Sequence, residues 1–291
     1  MGILHTRSTS RRIGLSLCVS FQEMSKWTWS QLERSFRLNA PFNEETITET
    51  ILLELKDRHP TDIAIVSFSK IQEKRLGADW EFWFTDKNGQ RGIGWRVQAK
   101  RLYRPAEEYS ALKPSETASS SQIQTLISQA QSQGLVPIYC FYNSVSDPND
   151  VAQGWACRSF SANKWLFGCS IAHAVDVHNL GKRDFKAVSQ ISMPWHCAVC
   201  CQGFSRPESD LPQRVAGVSR NLPNFGRDTD ATADLSTDLP EYVKLLAQES
   251  VFRGDISGSE IDFEETLYGL SEGESKQLRG VAVFKHTEAD E

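Results

Sequence analysis

Eighteen residues separate Asp79 from Gln98-Ala99-Lys100, with Trp80-Glu81-Phe82-Trp83-Phe84 directly after Asp79. A carboxylate, an amide oxygen and an ammonium are the groups that hydrolysis of a phosphodiester needs. Hard oxygen ligands hold Mg²⁺ or Mn²⁺, and the ion polarises a phosphoryl oxygen and acidifies a bound water. A lysine adds positive charge where the phosphorane gains negative charge, and it orients the attacking water. Both stretches read as β-strands, whose successive side chains point to opposite faces. Asp79 and Glu81 then share one face, and Gln98 and Lys100 share one. Trp80, Phe82, Phe84, Val97 and Ala99 point the other way. The Lys87-Asn88-Gly89 turn makes the two strands a hairpin that sets Asp79 beside Gln98 and Lys100. The bland alternative is a cross-strand Asp79–Lys100 ion pair worth under about 1 kcal/mol.

These groups need a frame, and the flanking periodicity supplies one. Residues 25–38 space Trp27, Leu32, Phe36 and Leu38 as a helix behind a serine cap. Asn43 caps a second helix over 44–57, with Ile47, Ile51, Leu52 and Leu55 on its apolar face. Strands follow over 62–68, 78–85 and 94–102, then a helix over 122–133 closed by Gly134, then a strand over 135–142. This order predicts an α/β fold with a mixed central sheet flanked by helices. Residues 156–203 complete the core, with a helix near 170–177 and a short strand or turn around 191–201. Four prolines among serine, aspartate and asparagine mark 205–240 as a linker or mobile loop. Residues 241–252 read as an amphipathic helix and 281–284 as a late strand. The expected division is a disordered leader over 1–24, the α/β domain over 25–204, the linker, and an acidic helix/strand extension over 241–291.

The Asp79 and Gln98-Ala99-Lys100 pattern resembles the PD-(D/E)XK nuclease superfamily, in its type IV restriction and Holliday-junction-resolvase-like branch with a QxK half-motif. The stretches EETITE, GADWEFWF and QAKR also look like an uncharacterised bacterial family of this nuclease fold. The resemblance covers residues 40 to 145 and implies a restriction-endonuclease-like sheet, a Mg²⁺ or Mn²⁺ cofactor, and DNA as substrate ahead of RNA. It also implies a role in phage defence or restriction. Asp79 and the Gln98 oxygen would be metal ligands, and Lys100 the transition-state stabiliser. Glu49 on the first core helix would be the outer, water-orienting ligand, with Glu45 in reserve. Gln98 replaces the commoner acid of the half-motif, and Glu81, on the same strand face, would compensate as a further metal ligand. No proline precedes Asp79. Related nucleases often carry a glutamine beside the lysine, a part that falls to Gln122 or Gln124. The two departures also suit a second reading, a non-cleaving module of this fold that binds nucleic acid or protein.

Arg96, Arg101 and Arg104, with Tyr103, flank the motif and could neutralise backbone phosphates; a solvated strand face is the plain alternative. His196-Cys197-Ala198-Val199-Cys200-Cys201 invites a structural zinc reading that Cys157, Cys169, His173 and His178 could complete. Only one close cysteine pair is present, so buried thiols are the expectation. Seven cysteines at irregular spacings suggest no disulfide framework and hence a reducing, cytoplasmic setting. Arg7, Arg11 and Arg12 before an apolar patch resemble a weak signal peptide, but serines interrupt the patch, so a disordered leader is preferred. The net charge of −5 hides an acidic tail: residues 255–291 carry ten acids and three basic groups. No stretch is apolar enough to span a membrane. Cutting both strands of a duplex needs two sites, which makes a homodimer or a nicking enzyme the open alternatives.

Overall fold

The computed structural model describes residues 16–67, 80–109, 112, 122–151, 163–200, 210–224, 234–248 and 278–286. Helix α1 (Leu17–Arg37) starts at Ser16, whose hydroxyl accepts from the Val19 N–H. Leu17, Phe21 and Met24 are buried, so part of the expected leader is core. Of the patch that resembled a signal peptide, Leu17, Ser20 and Phe21 are buried on this helix. Helix α2 (Glu44–Arg58) buries Ile47, Ile51, Leu52 and Leu55, the face its periodicity predicts.

Strands β1 (Ile63–Ser67), β2 (Trp80–Thr85) and β3 (Gly92–Arg101) follow, then α3 (Gln122–Ser132) and β4 (Val136–Tyr142). Strand β5 (Cys169–His173) runs into α4 (Ala174–Leu180), where a single helix was expected. Next come α5 (Phe185–Gln190), the two-residue β6 (Met193–Pro194), α6 (Cys197–Cys200), α7 (Leu211–Asn221), α8 (Glu241–Leu246) and β7 (Gly280–Lys285). The strands form one seven-stranded mixed sheet in the order β1-β7-β2-β3-β4-β5-β6. The β2–β3 hairpin is antiparallel and β3 pairs parallel with β4 across the α3 crossover. Strand β7 is no extension. It lies between β1 and β2, parallel to β2.

One sheet face carries Phe82, Phe84, Trp95 and Phe284 against α1, α2 and α7. Phe84 stacks on Phe284 at 5.1 Å, and Phe284 meets Phe21 of α1 at 5.7 Å. Trp95 donates its indole N–H to Ser219 of α7, so part of the expected linker is a packed helix. Thr48 of α2 and Tyr142 of β4 share a hydrogen bond at 2.7 Å on this same face. The opposite face carries the polar row of β3 and meets α3 and α8. No helix among the described residues is long and apolar enough to cross a membrane.

Cys18 of α1 and Cys200 of α6 form a disulfide, which corrects the expectation of unpaired cysteines. The two are 182 residues apart, and Cys18 fell in the segment read as leader. Cross-linking so long a loop removes on the order of 5 kcal/mol of unfolded-chain entropy in the simplest treatment. Reduction should therefore lower the Tm by up to about 10 °C. The Cys200→Ser variant should start lower and be insensitive to reductant. An unchanged wild-type Tm in dithiothreitol would reject the clamp.

Candidate active site on the central strand

The hairpin register is Trp80 with Val97, Glu81 with Arg96, and Phe82 with Trp95. Paired residues share a face, so Glu81, Trp83, Arg96, Gln98 and Lys100 lie on one side, as the alternation predicts. Asp86 N–H donates to the Arg91 carbonyl and Gly89 takes φ +63°, which closes the expected turn. Gly94 sits across from Trp83, where an added Cβ would come within 2.8 Å of the indole. The missing side chain lets Trp83 lie flat over β3.

Arg96, Gln98 and Lys100 are 2%, 3% and 6% exposed. Burying three consecutive polar side chains of a strand face is costly unless each is paired. Lys100 Nζ donates to Gln122 Oε1 at 3.1 Å, across from the first residue of α3. Gln98 lies two residues back on the same strand face, and its amide N–H donates to the Ala99 carbonyl at 3.4 Å. Of the two glutamines considered for a place beside the lysine, Gln122 occupies it; Gln124 is exposed further along α3.

Glu81 and Arg96 take other parts than those expected. The Glu81 carboxylate is 1% exposed and accepts from Trp83 Nε1 at 2.5 Å and from the Tyr242 hydroxyl. Its second oxygen lies 3.5 Å from Arg96 Nη2, which also donates to Gln133. Burial, and then the charge of Glu81, push the Tyr242 hydroxyl well up, which keeps it a donor. Glu81 is thus the anion of an internal network rather than a metal ligand, and Arg96 is enclosed rather than open to phosphate. Periodicity flagged both residues, but only α8 reveals Tyr242, the hydroxyl that donates to Glu81.

Asp79 lies outside the described residues. Glu49 is exposed on α2, which covers the sheet face opposite to Lys100. Glu45, one turn earlier, pairs with Arg279 at 2.5 Å. Arg279 directly precedes Gly280, the β7 partner of Trp80, so Glu45 reaches the end of the sheet where β2 begins. Among the described residues, no group of three or more His, Cys, Asp or Glu side chains is placed to hold a metal ion.

The zinc set is not assembled. Cys200 is bonded to Cys18, Cys157 lies outside the described residues, and Cys169 and Cys197 are buried free thiols. Burial pushes the Cys169 thiol well up, with Cys140 adding to the rise and hydrogen bonding with Thr28 and Ser25 opposing it. Burial likewise drives Cys140 up to about 12. Neither thiol is a ready metal ligand.

Sequence reasoning missed one constellation. Ser20 Oγ and His59 Nε2 are 2.8 Å apart, and His59 Nδ1 lies 3.8 Å from Asp62 Oδ2. By residue type this is a hydrolase triad. Ser20 is 0% exposed inside α1, so no substrate carbonyl reaches its hydroxyl. The three residues tie α1 to the corner between α2 and β1. Burial raises the Asp62 carboxyl, but His59, Thr61 and the Lys285 charge lower it by more and leave it below its ordinary value.

The fold and this strand-face cluster define a mixed α/β protein with a buried lysine–glutamine centre on its central hairpin. The chain belongs to a family of unknown function, DUF6615, whose model matches residues 17–290. No curated protein and no solved structure matches it significantly.

Proposed function

We propose that the chain is a Mg²⁺-dependent nuclease of restriction-endonuclease-like fold that hydrolyses phosphodiester bonds, DNA ahead of RNA. The observation that carries this reading is Lys100: its ammonium is nearly enclosed, 3.1 Å from Gln122 and on the same strand face as Gln98. A bland surface strand leaves a lysine head in water, and no stability is gained by burying it. The order α2-β1-β2-β3-α3-β4, with the motif on the antiparallel hairpin and α3 over the lysine, supports the same reading. The last described pair of the hairpin is Trp80 with Val97, and the next residues in line are Asp79 and Gln98.

In this proposal Asp79 and the Gln98 oxygen hold the divalent ion, which would supply Lewis-acid activation of the phosphoryl oxygen and of water. Glu45 takes the outer carboxylate role ahead of Glu49. Lys100 stabilises charge on the phosphoryl oxygens and orients the attacking water, with Gln122 fixing its direction. Arg101 and Arg104 contact the backbone of the strand being cut. Restriction or phage defence is the setting that the resemblance implies.

The second reading, a nuclease-fold module without catalysis, is favoured by one observation. The Glu81 carboxylate is neutralised inside its own network, which leaves few acids for a metal. Plasmid, linear duplex, single-stranded DNA and RNA, each incubated with Mg²⁺ or with EDTA, separate the two. The nuclease reading expects cleavage of DNA that EDTA abolishes. No cleavage of any substrate under either condition favours the inactive module.

A further inference from the structure

Beyond Lys100, the end of β3 opens onto a pocket of about 300 Å³. It lies between the end of α1 and the turn that follows β3. Its walls include Phe36, Asn39, Arg101, Tyr103, Arg104 and Ser144, and none of its lining residues is acidic. Two aromatic side chains are held open to solvent here, Phe36 at 50% and Tyr103 at 52% exposure. The Arg104 guanidinium lies 4.7 Å from the centre of the Phe36 ring.

Two polar atoms of this pocket are enclosed without a hydrogen-bond partner, Arg104 Nε and Ser144 Oγ, and Ser144 as a residue is 2% exposed. Such atoms cost free energy unless a ligand or water satisfies them. The walls are also fixed. Tyr103 N–H donates to the Glu108 carbonyl at 2.8 Å, Glu107 N–H to the Arg104 carbonyl at 3.2 Å, and the Ser146 N–H to the Glu107 carboxylate at 2.7 Å. The turn is therefore tied to the chain beyond β4, and the aromatic and cationic groups are presented on a rigid rim.

We infer that this pocket seats one unstacked nucleotide of the strand that passes Lys100, an inference that rests on the nuclease reading for its substrate. The ring faces of Phe36 and Tyr103 suit a base, since aromatic stacking tolerates any base. Arg101 and Arg104 suit its phosphate. The Ser144 hydroxyl offers a hydrogen bond to a base edge or sugar. The volume sits at the low end of ligand pockets, roughly 300–1,000 Å³, which admits one nucleotide and excludes a duplex. Arg101 follows Lys100 directly in β3 and points to the opposite sheet face, the side that carries α1, so a strand passing Lys100 reaches the pocket by bending round the end of β3. The substrate class implied is single-stranded, flapped or locally unpaired nucleic acid rather than uninterrupted duplex.

The test measures binding of deoxyadenosine monophosphate, deoxyadenosine and inorganic phosphate to the full chain in EDTA, by NMR titration or calorimetry. The monophosphate should bind at least about tenfold more tightly than either fragment. Tyr103→Ala should weaken it about tenfold while leaving phosphate binding unchanged. Arg104→Gln should weaken the monophosphate and phosphate alike, and Arg104→Lys should restore part of both. A monophosphate that binds no better than phosphate overturns the nucleotide seat, and so does full binding by both the Tyr103→Ala and Arg104→Gln proteins. Nucleotide binding with no cleavage of any substrate overturns the nuclease reading alone. Cleavage without nucleotide binding overturns the pocket alone.

Discussion

The Lys100→Ala protein should lose Mg²⁺-dependent DNA cleavage by about 10³-fold, the size of effect seen when one preorganised stabiliser of transition-state charge is removed. Its melting temperature should stay near that of the wild type, because Gln122 is exposed and recovers a water partner when the ammonium is gone. Asp79→Ala should be as inactive, through loss of the metal. Gln122→Ala should cost less, about tenfold, since it removes the group that directs the lysine and not the charge itself. Undiminished cleavage by both the Lys100→Ala and Asp79→Ala proteins would remove the site from consideration.

Arg96→Met should destabilise the fold by roughly 3–5 kcal/mol, because it leaves the Glu81 carboxylate buried without its cation. Glu81 is 1% exposed and Arg96 2%, and no water is at hand to replace either. Replacing both, as Glu81→Leu with Arg96→Met, should recover most of the loss, since a buried pair can often be exchanged for apolar residues at little cost. Urea unfolding of the two single variants and the double variant gives the coupling directly. A single Arg96→Met protein as stable as the wild type would show that the network does not hold α8 to the hairpin.

The hairpin and its polar face were legible in the sequence because strand alternation and a Lys-Asn-Gly turn fix both parity and register. Helix α2 was legible from its apolar spacing. The place of β7 was not, because pairing between strands some two hundred residues apart leaves no local mark. Helix α7 was hidden by its own proline: Pro212 stands in the first turn, where no N–H is missed, behind an Asp210–Gln213 capping box. In β5, four small or apolar residues before His173 fit a buried strand or a buried helix equally well. At the site, the meeting of Lys100 with Gln122 followed from the resemblance, whereas the capture of Glu81 by Tyr242 and of Arg96 by Gln133 needed tertiary structure. The Glu45–Arg279 pair was hidden for the same reason, since Arg279 comes from the far end of the chain.

Calorimetric titration of Mn²⁺ into the wild-type and Asp79→Asn proteins addresses the metal centre itself, apart from any choice of nucleic acid. One ion should bind per wild-type chain, and the Asp79→Asn protein should bind none at the same concentrations. Heats identical in the two proteins, or no binding to the wild type, would contradict a divalent ion shared by the Asp79 carboxylate and the Gln98 amide.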